Sequence, residues 1–533
     1  MKFKFIEKLE VTTFSWKRWE IYPFLIVFLI IHFAWSKHFP IADVEAYYWD
    51  WSRYLSLSYY DHPGAIAWIC RLGTIITQNE NNLRFFVPIF SLITSIFLIL
   101  SLNIILSFQN KQANLKQVLY LEIIYNIIPV FSIQSFILMP DFSLLTFLSI
   151  SFFISLKIIK YFDLNKKDSL ILIFILGISG GMGFNSKYHM LPIIFLLVLT
   201  ILIVNKRNLK NIFIFLSIFI FSFILTAMPT LYWNIKNHYA SFLFQLNHGF
   251  GSFSFRLDNP ISYIIESSLY ISPVLFGYGV YKIILLKKFH SIKEIEPKLI
   301  FLAILPVTGL FLIFLLASFY NYVAPYWISP AFLLLIPFIT IDLTNWKFNK
   351  IFIPLFFFIS LTIPTVLCFK ESRKFITDIS HGNIGYKLLF WYIFTDTRIE
   401  KELGIELPKS ITPEELAKNG CSKNDTILAS LNWTWTSQLA YHLKGHPYIY
   451  NINQNQKSFY SFRDKLSQLK KCKVIIISSE ELAQDILQQM EDIKVIKLVE
   501  IKSFPRLEYS KINIIRGTYK GSDLKNKISM SDD

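Results

Sequence analysis

Four acids and a histidine crowd one short stretch near the start of the chain. Asp43, Glu45, Asp50, Asp61 and His62 all fall within ADVEAYYWDWSRYLSLSYYDHPG, residues 42–64. Further along stand Asp141, then Lys187 and His189, then Trp233, Asn234, His238, Gln245, His248 and Arg256. A carboxylate can take a proton from an attacking hydroxyl, and lysine, arginine and histidine can hold an anionic phosphate. Those residue types together suit a group transfer that expels a phosphate. Each also has a plain structural reading. Asp141 after Pro140 suits the first turn of a helix. Lys187 can snorkel, and His238 or His248 can simply sit at an interface. The tyrosines and tryptophans of 42–64 can form an aromatic belt on amphipathic helices.

The elements that must hold these groups are membrane helices. With 53% hydrophobic, 17% aromatic and 17% charged residues in 533, including 52 phenylalanines, the chain is too apolar for a soluble globular protein. Apolar stretches of about twenty residues, long enough to cross a core of roughly 30 Å, recur along it. About eleven candidate spans lie near 20–36, 83–107, 117–138, 141–162, 169–184, 189–205, 211–231, 264–286, 299–317, 322–340 and 350–369. The first carries no small-residue cleavage site and reads as a retained helix.

Alternate connections are rich in Lys and Arg, which stay on the cytoplasmic side. They include Lys2, Lys4, Lys8, Lys17 and Arg18; Lys111 and Lys116; Lys157, Lys160, Lys166 and Lys167; Lys206, Arg207 and Lys210; Lys282, Lys287, Lys288, Lys293 and Lys298; and Lys347 and Lys350. The expected orientation is therefore a cytoplasmic N-terminus, with 42–64, the Pro140-Asp141 turn, the Lys187 turn and the chain after about 370 outside. This arrangement also accounts for the net charge of +16 as basic loops facing anionic lipid. A nucleic-acid partner is not expected.

From about residue 370 charges become frequent. Strand-like runs such as 425–429 and 474–478 alternate with helical stretches such as Glu480 to Met490. The expected organisation is a polytopic α-helical membrane module, 1–369, with a first outer loop 37–82, and a small extracytoplasmic α/β domain, 370–533. Cys421 and Cys472 fall in the tail and are open to either a disulfide or two free thiols. The polar last dozen residues read as disordered.

Several motifs carry a resemblance. Asp43-Val44-Glu45-Ala46-Tyr47-Tyr48-Trp49 and Ser58-Tyr59-Tyr60-Asp61-His62-Pro63-Gly64 resemble the first-loop signature of the dolichyl-phosphate-mannose-protein mannosyltransferase-like superfamily. That superfamily, of the GT-C fold, includes the bacterial lipid A aminoarabinose and galacturonic acid transferases. Pro140-Asp141, residues 181–188, residues 229–234 with 241–245 and His248-Gly249, and residues 324–330 follow in the family's order. Tyr441-His442-Leu443-Lys444-Gly445-His446-Pro447 resembles its outer domain more loosely. Two departures stand out. Val44 separates an aspartate and a glutamate that the family places side by side, and Gly64 stands where many relatives carry a second proline.

The resemblance implies transfer of a sugar, usually with inversion, from a polyprenyl-phosphate carrier to an envelope glycolipid such as lipid A, at the outer face of a bacterial inner membrane. Protein O-glycosylation is the runner-up. Asp43 or Glu45 is the expected base, and Asp141 a second acid. His62, Lys187 and Arg256 are expected on the donor phosphate. Tyr47, Tyr48, Tyr59, Tyr60, Asp61, Trp233, Asn234, Gln245 and His248 are expected to contact substrate. No cofactor is required, although so many acids are compatible with a divalent cation. Two other readings compete: a lipid-linked saccharide transporter, disfavoured because the acids sit at span ends on one face, and an inactive scaffold subunit.

Overall fold

The computed structural model describes residues 21–161, 167–205, 209–250, 255–286, 296–343, 349–379, 403, 407–421, 425–453, 457–464, 466–479, 484–500 and 511–520. Lys2, Lys4, Lys8, Lys17, Arg18, Lys166, Lys206, Arg207, Lys287, Lys288, Lys293 and Lys347, which support the orientation, lie outside the described residues, as do Glu480 and the last dozen residues.

In chain order the helices are α1 (Tyr22–His38), α2 (Asp43–Arg53), α3 (Ala65–Thr77), α4 (Phe86–Ser107), α5 (Leu115–Ile127), α6 (Pro129–Gln134), α7 (Pro140–Tyr161), α8 (Lys167–Ser186), α9 (Met190–Asn205), α10 (Leu209–Lys236), α11 (Ala240–Phe250), α12 (Asp258–Ile271), α13 (Pro273–Leu286) and α14 (Glu296–Ser318). After a 3-10 turn at Pro325–Ile328 come α15 (Ser329–Leu333), α16 (Ile336–Leu343), α17 (Asn349–Leu367) and α18 (Lys370–Ile379). The remainder is α19 (Pro413–Asn419), β1 (Thr426–Ser430), α20 (Trp433–His442), β2 (Ile449–Asn451), α21 (Phe459–Arg463), β3 (Lys473–Ser478), α22 (Gln484–Gln488), β4 (Met490–Glu500) and β5 (Lys511–Tyr519). Met490 opens a strand rather than closing a helix, and α22 is the described helical part of 480–490.

The chain forms two compact units. One comprises Met1–His38 and Ser56–Thr365, the other Phe39–Leu55 and Val366–Asp533.

In the first unit α4, α7, α8, α10 and the Phe301–Ser318 part of α14 are long and apolar enough to cross a membrane. Three expected spans are broken, and proline explains two of the breaks. Pro129 has no N–H to donate and disfavours helical geometry at the residue before it. Ile128 is accordingly extended, at φ −71° and ψ 118°, and 117–138 splits into α5 and α6. Pro273 follows Ser272, where φ reaches 94°, and separates α12 from α13. The span 322–340 becomes the 3-10 turn, α15 and α16, with a bend of 65° between Pro325–Leu333 and Ile336–Asp342.

Antiparallel α7 and α8 pack side by side, and α8 also packs along α10. The second contact is close because α8 presents glycines at helical spacing. A Cβ on Gly177 would stand 1.9 Å from Ser222 Oγ, and one on Gly181 2.0 Å from Thr226 Oγ1. Small residues let membrane helices approach where no aqueous hydrophobic effect drives them together.

In the second unit the mixed sheet runs β2-β1-β3-β5-β4. β1 is parallel to β2 and β3, while β5 is antiparallel to β3 and β4. Its core gathers Ile427, Ala429, Tyr450, Val474, Ile476 and Ile515 around a Cys421–Cys472 disulfide, with Cα atoms 5.3 Å apart. Helix α2 belongs to this unit, although nothing in its composition separates it from the outer loop around it.

Candidate active site

Because α7 and α8 are antiparallel and joined by a short connection, the start of α7 and the end of α8 share one end of the first unit. Asp141 lies in the first turn of α7, where a helix dipole favours a carboxylate, and Lys187 directly follows α8, where it favours a cation. Lys187 Nζ donates to both carboxylate oxygens of Asp141 at 2.9 Å, with both side chains buried. The ammonium also sits 5.2 Å above the Tyr326 ring.

Three histidines surround this pair. Burial pushes His62 down to about 3, and the positive charges of Lys187 and His248 act in the same direction. Burial also holds His189 well below its ordinary value, followed by the charges of Lys187 and His62. His248 is lowered by burial. Trp327 links two of the three, with its ring 5.6 Å from His189 and 5.6 Å from His248. Phe244 stacks on His248 at 5.6 Å and meets Tyr60 at 4.7 Å. Gln245 Nε2 donates to the Asp61 carbonyl at 2.5 Å, fastening α11 to the loop that carries His62. One lysine ammonium thus stands among imidazoles whose hold on a proton is weakened, and which can donate hydrogen bonds to an anion and gain a proton as it arrives.

Asn234 is fully buried, and its amide is engaged locally. Its Nδ2 donates to Thr230 O at 3.0 Å, and its Oδ1 accepts from the Phe242 N–H at 3.2 Å, fixing the α10–α11 turn. Trp233 is partly exposed, and Arg256 is exposed while its backbone N–H donates to Phe319 O at 2.8 Å. Tyr59 is buried, its hydroxyl accepting from the Ser56 N–H at 3.0 Å, whereas Tyr60 is partly exposed.

In the second unit the two candidate bases differ sharply. Glu45 is 0% exposed, and its Oε2 accepts from the Ala42 N–H at 3.0 Å, the reciprocal bond that a third-position glutamate makes at a helix start. Asp43, the first residue of α2, is partly exposed, with Oδ1 accepting from the Val44 N–H at 2.9 Å. Tyr47 and Tyr48 are buried. Tyr47 packs on Trp433 at 4.8 Å, and both meet Trp51 at 5.0 Å. Among the described residues no three His, Cys, Asp or Glu side chains are grouped to hold a metal ion.

Tyr326 and Trp327 were missed as site residues, although the motif at 324–330 contains both. Side-chain chemistry alone does not separate an aromatic that stacks on histidine from one that faces lipid.

Residues 61–233 match the family model described as dolichyl-phosphate-mannose-protein mannosyltransferase. A lipid A galacturonosyltransferase, RgtD, of Rhizobium johnstonii is 23% identical over 195 residues, a match spanning 36% of this chain and 38% of that protein. The crystal structure of ArnT from Cupriavidus metallidurans bound to undecaprenyl phosphate superposes with a TM-score of 0.60 at 11% identity, covering 93% of this chain and 97% of that one. Its apo form gives 0.59 at 12%, with the same coverage. At such identity the superposition speaks for the fold, and the motifs at 61–64, 140–141, 181–188 and 229–233 fall inside the matched segment. Residues 61–233 are thus similar to that mannosyltransferase family, and the chain shares the polytopic GT-C membrane fold of ArnT.

Proposed function

We propose that this protein transfers a sugar, with inversion, from a polyprenyl-phosphate carrier to lipid A or a similar envelope glycolipid at the outer face of a bacterial inner membrane. The observation that carries this reading is the buried Lys187 ammonium with the partly exposed His62 and His189 beside it and the exposed His248 at its margin, a group suited to an anion at the end of apolar helices. In this scheme Lys187 and His62 take the donor phosphate, Arg256 joins them, and Tyr60 offers a ring to the sugar. Asp141 holds Lys187 until the phosphate arrives. The Lys/Arg distribution supports a cytoplasmic N-terminus and an outer C-terminal unit.

Asp43 is the base in this scheme, because its carboxylate is accessible while that of Glu45 closes the helix start. An acceptor hydroxyl oxygen forms the new bond to the anomeric carbon, and its proton goes to Asp43. The bond from that carbon to the phosphate oxygen breaks, and its electron pair leaves with the phosphate, where the cations stabilise the charge. An acceptor phosphate needs no deprotonation, and Asp43 then only orients it. The scheme includes no metal ion, so added EDTA is expected to leave the rate unchanged.

The test is mass spectrometry of lipid A and envelope glycans from a strain lacking this chain. Loss of one sugar increment from lipid A, restored by the wild-type chain and not by Asp43→Asn, is the expected result. Unchanged lipid A with an altered glycoprotein would move the acceptor to protein. An unchanged envelope throughout would sink the reading.

A further inference from the structure

Helix α2 carries Asp43 at one end and a buried charge network at the other. Asp50 is 0% exposed. Its Oδ2 accepts from Arg463 Nη1 at 2.7 Å and from the Tyr460 hydroxyl at 3.0 Å, and its Oδ1 accepts from Arg53 Nη1 at 3.2 Å. Arg463 is held from the other side by Asp464, whose Oδ1 accepts from Nε at 2.7 Å, and its guanidinium lies 4.1 Å from the Tyr448 ring and 4.4 Å from the Tyr460 ring. Asp464 in turn accepts from the Tyr448 hydroxyl at 2.6 Å and from the Asn451 N–H at 2.8 Å, which ties the network to β2.

The spacing on α2 gives this network a consequence. Asp43, Tyr47 and Asp50 stand at i, i+4 and i+7, so one helical face carries all three. The Tyr47 hydroxyl accepts from the Phe459 N–H at 2.8 Å, and Arg53 Nη2 donates to His446 O at 2.8 Å. The face is therefore gripped at its second and third turns by α21 and by the loop after α20, while its first turn keeps Asp43 accessible. Because α2 is short, a rotation or slide at Asp50 carries Asp43 with it.

We propose that Arg463, acting through Asp50, is a positioning residue that sets where the Asp43 carboxylate stands. The proposal rests on the reading of Asp43 as base. A helix held only by apolar packing can slip among near-equivalent arrangements, whereas a buried guanidinium anchored in bidentate fashion on Asp464 and reaching Asp50 through Nη1 fixes direction as well as distance.

The experiment uses the detergent-solubilised full chain, undecaprenyl-phosphate-linked galacturonic acid or aminoarabinose as donor, and lipid A as acceptor. kcat, donor KM and melting temperature are measured for Arg463→Lys, Asp50→Asn, Tyr460→Phe and a packing control, Tyr450→Phe. The control removes a buried hydroxyl that donates to Ile411 O outside the network. Arg463→Lys and Asp50→Asn are expected to lower kcat on the order of tenfold to a hundredfold, with donor KM unchanged, while Tyr450→Phe lowers the melting temperature and leaves kcat intact. Unchanged kcat in both network variants would overturn the proposal, as would an equal fall in Tyr450→Phe, which would mark the effect as stability alone. If Arg463→Lys and Asp50→Asn fail to fold, Tyr460→Phe decides: a lowered kcat at unchanged KM supports positioning, and wild-type kcat overturns it. An inactive wild-type chain, or full activity in Asp43→Asn, would sink the functional reading and the proposal with it, and both outcomes are visible without any network variant.

Discussion

Lys187 Nζ lies 2.9 Å from each carboxylate oxygen of Asp141, and the two side chains are 3% and 1% exposed. The bond spans 46 residues of sequence and joins the start of one membrane helix to the end of the next. A buried pair of this kind is costly to break from one side, because the remaining charge loses both partner and solvent. Asp141→Asn is therefore expected to destabilise the helical unit by about 3–5 kcal/mol, seen as a lowered melting temperature in detergent. A polyprenyl phosphate should recover part of that loss by pairing with Lys187.

His62 has the opposite electrostatic setting. It is held neutral, down to about 3, chiefly by burial and further by the charges of Lys187 and His248. A phosphate beside it reverses the local sign and favours imidazolium. Binding of polyprenyl phosphate near pH 6 is expected to take up a proton, measured by titration calorimetry in buffers of different ionisation enthalpy. His62→Ala should abolish the uptake; uptake unchanged in that variant would exclude His62 as its source.

The contact between α8 and α10 tolerates no side chain at its glycines. Gly181→Val would drive a Cβ within 2.6 Å of the Phe223 carbonyl oxygen. Since Lys187 follows at the end of α8, the substitution is expected to cost roughly 1–3 kcal/mol of stability and to lower activity as well. Activity at the wild-type level would show that the site does not depend on this packing.

In the C-terminal unit, the Cys421–Cys472 bond closes a loop of 51 residues. By chain entropy alone its removal costs about 4 kcal/mol. Cys472→Ser should lower the melting temperature of this unit and speed proteolysis after β3, with the helical unit unaffected.

The same unit should weaken in acid. His442 is lowered to about 3 by burial first and the His446 charge second. Its contribution is fully present above the ordinary histidine value near 6.5, and is lost progressively as pH falls toward 3, because the unfolded chain takes up the proton first. His442→Gln should flatten the melting temperature between pH 6 and pH 4.

The helical elements and one cluster of site residues were legible because each announces itself over a short stretch. Apolar runs of membrane-crossing length mark most helices, and prolines at 129 and 273 mark two of the breaks once their effect on the preceding residue is counted. Asp141 and Lys187 could be placed at a common end by counting spans. The strands at 426–430 and 473–478 were readable from their β-branched runs.

What the sequence by itself determined, then, is everything set by local chemistry: a polytopic helical chain with a mixed tail, and which charged side chains stand at helix ends. The tertiary structure alone decided which of those groups are partners and which are spent. It buried Glu45 in a helix-start bond and left Asp43 accessible, although the two differ by one methylene. It turned Asn234, Tyr47 and Tyr48 inward, and it placed α2 with a tail hundreds of residues away through Asp50 and Arg463. The physical reason is that burial and charge pairing depend on contacts between distant segments, and a single sequence carries no local record of those contacts.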